Sequence, residues 1–272
     1  RPLAAFDSQN QIEAIFKLTN AILLSEWNEG LTFSLGLHPR EVLEEWLGFR
    51  LKAGGNIETF ITEDCQVNPE TPGFLINSAV FPNPLFYGRV EEVWGKTRLM
   101  DFATGFLHRD LNTNNILVKF AEGEHKLESY FLIDFALFKE GMPLLYDQRY
   151  LEMSYLTQIV SKVSFEKIAA LLVLGGNESL HGLPDAPIEM AGVCAVLETA
   201  RQCFGDWVVE NHPSLQDDLW GQYWLAGTAA GLSFVHKTGQ PEEIRLAGLI
   251  YAAANLKRFL STFDLPLPKQ AA

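Results

Sequence analysis

The chain has 272 residues, 47% of them hydrophobic, enough apolar material for a large core. Its 34 acidic and 21 basic residues leave a net charge of −13. That balance excludes a nucleic-acid backbone as the expected partner, because phosphates have to be met by Lys and Arg. Cys65, Cys194 and Cys203 show neither the density of a disulfide framework nor zinc-ligand spacing, so free thiols in a reducing, cytoplasmic setting are expected.

Taken in order, Asn10 to Trp27 sets Ile12, Ile15, Phe16, Leu18, Ile22 and Leu23 at helical spacing. His38-Pro39-Arg40-Glu41 opens a second helix whose apolar face is Val42, Leu43, Trp46, Leu47 and Leu51. Residues 53 to 85, with Pro69, Pro72, Pro82 and Pro84, read as a long ordered loop with one short strand from Ile57 to Thr62. Leu99 to Leu107 is apolar and reads as extended. Strands are expected at Ile116 to Phe120 and Ser129 to Phe135, joined by a polar turn. Helices follow at 148–160, 165–174, 188–204, 215–235 and 242–263, with a Gly/Pro loop at Asn177 to Pro187 that contains His181, and a frayed tail from Pro266. Leu219 to Val235 is uncharged, but Gln222, Tyr223, Thr228 and Ser233 make it a buried helix rather than a membrane span. Gly221, Gly227, Ala230 and Gly231 within it suit close helix contact.

Chemistry concentrates in Gly105-Phe-Leu-His-Arg-Asp-Leu-Asn-Thr-Asn-Asn-Ile-Leu-Val118. Here His108-Arg109-Asp110 is followed, after four residues, by Asn115 at the mouth of an apolar run; nineteen residues later a second apolar run ends in Asp134-Phe135-Ala136. Antiparallel pairing of the two runs would bring Asn115 and Asp134 to one end of a hairpin. Asn112, Asn114 and Asn115 alone could be loop formers and Asp134 a turn residue; the conjunction is the more specific signal.

These residues resemble the catalytic loop and the metal-binding Asp-Phe-Gly segment of the protein-kinase-like phosphotransferases. The resemblance implies an α+β, mostly helical chain: a single large C-terminal lobe with a small catalytic β-hairpin. Residues 1–85 would be a helical and loop lead-in, 86–160 the catalytic loop and hairpin, and 161–268 a helical subdomain. It further implies ATP and Mg²⁺ as cofactors, Asp110 as catalytic base, Asn115 and Asp134 as metal ligands, and His108 and Arg109 as braces of the loop.

The segment after Asp134 is short and lacks the Ser or Thr of a protein-kinase activation segment. It is more similar to the aminoglycoside phosphotransferase and choline kinase branch, in which an Asp soon after the metal motif begins a helix; Asp147 fits that place. Asn83-Pro84-Leu85 and the stretch from Asp147 to Glu152 also resemble bacterial ternary complex associated kinase-like domains of multidomain defence or signalling proteins. Arg109, Asn112 and Ala136 depart from the branch, and Arg109 is expected to pair with an acid such as Asp147. Residues ahead of His108 read as helices and loop, without a Gly-rich strand pair or its Lys. The small lobe is therefore expected upstream of Arg1, the start at Arg rather than Met favouring that over its loss. The expected activity is phosphoryl transfer to a hydroxyl acceptor; the alternative is a pseudokinase acting as a binding or regulatory module.

Overall fold

The computed structural model describes residues 1–76, 78–95, 99–121, 124–160, 163–174 and 190–268. The architecture is mostly helical with small antiparallel sheets, as the α+β expectation has it.

The first predicted helix is α1 (Gln9–Ala21), continued by a wider turn at Ile22–Glu26. Strand β1 (Thr32–Leu37) then leads to α2 (Pro39–Leu47). His38 caps α2: its Nδ1 accepts from the Arg40 N–H at 3.2 Å, while Glu41 accepts from the His38 N–H at 3.0 Å. The expected strand at Ile57 to Thr62 is instead a short helix, α3 (Asn56–Thr59), running into a wide turn at Phe60–Asp64. Ile57, Phe60 and Ile61 recur at helical intervals and are all buried, so a helix covers them where a strand would turn one outward. The remainder of the expected loop folds as the hairpin β2 (Gly73–Ile76) and β3 (Ala79–Pro82), followed by α4 (Pro84–Arg89). Buried Asn83 caps α4 through the Leu85 N–H and donates to the carbonyls of Asn68, Pro69 and Thr71.

Strand β4 (Met100–Leu107) is the extended approach to His108. It lies between β1 and a strand the sequence did not announce, β7 (Lys139–Pro143), which follows the hairpin of β5 (Ile116–Ala121) and β6 (Glu124–Leu132). The reading of the residues ahead of His108 as helices and loop is corrected at β1, β2 and β3, while β4 is the extended segment expected. The chain then runs α5 (Tyr146–Val160), α6 (Phe165–Leu174), α7 (Ala191–Asn211), α8 (Gln216–His236) and α9 (Glu242–Thr262). The expected loop at Asn177 to Pro187, with His181, lies outside the described residues. Pro266 and Pro268 are not frayed: the Pro266 carbonyl accepts from Tyr87 Oη at 3.3 Å, and Pro268 lies against Gly73.

Helix α8 is the centre of the core, buried along nearly all of Leu219 to Val235. Gln222 reaches from it to β4, accepting from the Ala103 N–H and donating to the carbonyls of Ala103 and Leu144. Its glycines do serve close contact. A Cβ on Gly231 would sit 2.4 Å from the Gly248 carbonyl oxygen and 2.8 Å from the Ala252 nitrogen of α9. Backbone cannot yield as a side chain can, so Gly231→Ala is expected to destabilise by about 1–3 kcal/mol in urea denaturation. Wild-type stability in that variant would contradict the packing described. Among the described residues no helix is long and apolar enough to cross a membrane, and the three cysteines are free and half-buried.

Candidate active site

The first two backbone N–H groups of the loop after β4 are held by one side chain. Asp147, in the first turn of α5 and 1% exposed, accepts the His108 N–H on Oδ2 at 2.5 Å and the Arg109 N–H on Oδ1 at 2.8 Å. Arg109 meets Asp147 through its backbone N–H rather than through the side-chain pairing expected. Arg109 takes φ +68°, Asp134 φ +63° and Leu145 φ +73°. Left-handed backbone costs a non-glycine residue roughly 1–2 kcal/mol, and three such residues frame one site: the loop, the end of the hairpin and the entry to α5. Strain gathered in this way marks a segment whose geometry the surrounding fold enforces. Ala136, which departs from the branch, lies in the short helical turn Phe135–Leu137 and is not among the positive-φ residues.

His108 is fully buried, and its Nε2 lies 2.8 Å from the Ile133 carbonyl. A carbonyl can only accept, so Nε2 carries the proton and Nδ1 is left to accept the Asp110 N–H at 3.4 Å. The ring therefore ties the loop to the residue before Asp134. The Asn115 Nδ2 donates to the Asp110 carbonyl at 2.8 Å, and the Asn115 carbonyl accepts the Ile133 N–H at 3.0 Å. With Ile116 opposite Leu132 and Leu117 opposite Phe131, β5 and β6 pair antiparallel, bringing Asn115 and Asp134 to the same end of the hairpin. The strands are longer toward the turn than expected, with Ala121 opposite Glu124, and β6 ends before Phe135.

Asn115 is thus bonded to the Asp110 carbonyl, and the hairpin sets Asp134 at the same end as Asn115. The amide nitrogen of Asn115 is used internally, which leaves its oxygen for a ligand, and Asp134 is exposed. An amide oxygen beside a carboxylate is a hard donor pair suited to Mg²⁺. Among the described residues no group of three or more His, Cys, Asp or Glu could hold a metal ion.

Two residues at Asp110 were not foreseen. Tyr150 donates from Oη to Asp110 Oδ1 at 2.8 Å, and Lys237 donates to Tyr150 Oη at 2.5 Å while standing 4.0 Å from the same carboxylate oxygen. Tyr150 lies three residues after Asp147 on α5, so helical spacing offered a signal. Lys237 is 87 residues beyond Tyr150 and gave none. Trp27, Phe106, Phe135, Phe138 and Glu140 line an open cleft of about 630 Å³.

Burial raises the Asp147 carboxyl to about 6 from an ordinary 3.8, with the His108 and Arg109 N–H groups and the Arg109 charge holding it back. The folded protein keeps this proton more tightly than the unfolded chain does. The group's contribution to stability is therefore fullest below 3.8 and is lost as pH rises toward about 6. Measured by denaturation, the stability of wild type relative to Asp147→Asn should fall across that window; a pH-independent difference would contradict it.

No family model, curated protein or solved structure matches the chain.

Proposed function

We propose that this chain carries the catalytic loop and metal-binding end of an ATP- and Mg²⁺-dependent phosphotransferase that acts on a hydroxyl acceptor. The carrying observation is the hydrogen bond from Asn115 to the Asp110 carbonyl at the hairpin end that also bears Asp134, on a loop whose backbone Asp147 fixes. It is supported by the resemblance to the protein-kinase-like phosphotransferases, above all their aminoglycoside phosphotransferase and choline kinase branch.

In this reading Asn115 and Asp134 hold the metal, and Asp110 orients the acceptor hydroxyl and takes its proton. Bound Mg²⁺ would neutralise phosphate charge as the phosphoryl group passes. Tyr150 and Lys237 fix the Asp110 carboxylate, and Asp147 keeps the loop from relaxing out of its left-handed turn. Positioning of this kind is a large share of phosphoryl-transfer catalysis, since little covalent work is asked of the protein.

A second reading, a non-catalytic binding or regulatory module of a multidomain protein, draws on the aromatic cleft. Phe106, Phe135 and Phe138 are each about two-fifths exposed, at 38%, 45% and 40%, an apolar surface that a proton-accepting site does not require. Calorimetric binding of Mg-ATP tests the metal role. Asp134→Asn is expected to weaken binding at least tenfold relative to wild type; equal affinities would remove Asp134 from the metal site.

A further inference from the structure

The side of Asp110 that faces α8 carries charge opposite to that of the molecule as a whole. The Lys237 ammonium lies 4.8 Å from the Phe234 ring centre and 5.1 Å from that of Tyr150, with 38% of its side chain open to solvent. His236, beside it, packs edge-on against Phe49 at 5.5 Å, and the Arg50 guanidinium lies 5.5 Å from the same Phe49 ring. Asp110, Tyr150, Lys237, His236, Phe49 and Arg50 therefore trace a line from the loop to the segment after α2: Lys237 follows His236 and Arg50 follows Phe49 in the chain, and the remaining steps are contacts.

The formal charges bearing on Tyr150, Lys237 and His236 are those of Arg50, Arg245 and Asp110. Arg245 is committed elsewhere, standing 3.9 Å from Asp64 and donating to the Val235 and Asn56 carbonyls. Arg50 has the Trp46 carbonyl at 3.4 Å and the Phe49 ring, and no carboxylate partner among the described residues. Burial pulls Lys237 below the usual lysine range, Asp110 opposes this, and Arg50 adds to it. Lys237 thus has the Asp110 carboxylate at 4.0 Å while Arg50 has none among the described residues, in a chain with 34 acidic and 21 basic residues. Clefts of one charge sign raise the local concentration of oppositely charged ligands, and the surplus here is positive.

Resting on the phosphotransferase reading, we infer that the hydroxyl acceptor also bears an oxyanion group, phosphate or carboxylate, which Lys237 and Arg50 receive beside Asp110. In the transfer the acceptor oxygen bonds to the γ-phosphorus as the bridging bond to the β-phosphate breaks. The hydroxyl proton passes to Asp110, ADP leaves, and both cations keep their protons throughout. A polyamine acceptor is disfavoured at such a rim, and the oxyanion fixes which hydroxyl lies at the carboxylate.

Pyrophosphate titrated calorimetrically into the whole chain, with EDTA present to remove metal, tests this without any turnover. Wild type and Asp134→Asn should bind it, Lys237→Met and Arg50→Met should bind at least tenfold more weakly, and spermidine should give no binding heat. Thermal melting confirms folding, and Lys237→Gln replaces Lys237→Met if the latter does not fold. No binding by wild type, undiminished binding by the cation variants, loss of binding in Asp134→Asn, or preference for spermidine would overturn the inference. Because no ATP is consumed, these outcomes stand apart from the Mg-ATP measurements that judge the phosphotransferase reading.

Discussion

Replacing Glu152 with alanine is expected to destabilise the fold by about 3–5 kcal/mol, the range for a buried charge deprived of its partner. Glu152 is fully buried on α5. Its Oε1 accepts from Arg149 Nη1 and Tyr223 Oη, both at 2.6 Å, and its Oε2 accepts from the same Nη1 at 2.6 Å and from Tyr251 Oη at 2.9 Å. Arg201, 1% exposed, approaches Oε2 to 3.7 Å. Without the carboxylate, fully buried Arg149 would keep one neutral acceptor, Asn255 at 2.6 Å, and the faces of Tyr223 and Tyr251 at 4.2 and 5.1 Å. Aromatic faces and an amide do not replace an ion pair in a medium of low dielectric.

The double replacement Arg149→Met with Glu152→Met should cost less than Glu152→Ala alone, because it leaves no stranded charge at that pair. Urea denaturation of both variants reads the difference. A cost for Glu152→Ala below about 1 kcal/mol would show that the cluster relaxes or hydrates, against the rule for buried pairs. The cluster has a positional consequence as well. Helix α5 carries Asp147 and Tyr150 at one end and Glu152 further along, so the bonds that lock it to α8 and α9 also set the loop that Asp147 holds.

The parts of the site that were legible in the sequence are those whose partners lie close along the chain. Asn115 and Asp134 are joined by a hairpin, and two apolar runs with a polar turn announce their own pairing. Helices α6, α8 and α9 fall almost where their periodicity puts them, since burial of one face is a local signal. Strands β1 and β7 were invisible for a complementary reason. Both are edges of a sheet whose middle strand, β4, is remote from β1, and β7 is Lys-Glu-Gly-Met-Pro, a polar stretch with a glycine and a proline. The stretch from Asn56 to Asp64 reads as a short strand inside a proline-bearing loop, while Ile57, Phe60 and Ile61 carry the helical interval that burial satisfies. Lys237 could not be found from sequence at all, because only the packing of α8 on α5 brings it to Tyr150.

Asp110→Asn should lower phosphoryl transfer by at least about 100-fold, the lower end of what a positioned general base contributes. Asparagine keeps the shape and can accept from Tyr150, but its amide cannot take a proton from an incoming hydroxyl. The loop should hold, because its fixings run through the Asp147 carboxylate, the His108 ring and the Asp110 carbonyl rather than through the Asp110 side chain. Mg-ATP affinity should therefore stay within a few-fold of wild type while turnover falls. The decisive measurement is Mg²⁺-dependent ADP release by the full-length protein, compared between wild type and Asp110→Asn with candidate acceptors present. Release by wild type that is lost in the variant at unchanged Mg-ATP affinity is the result expected. Equal release by the two proteins, or none by wild type, would contradict the assignment of phosphoryl transfer to this site.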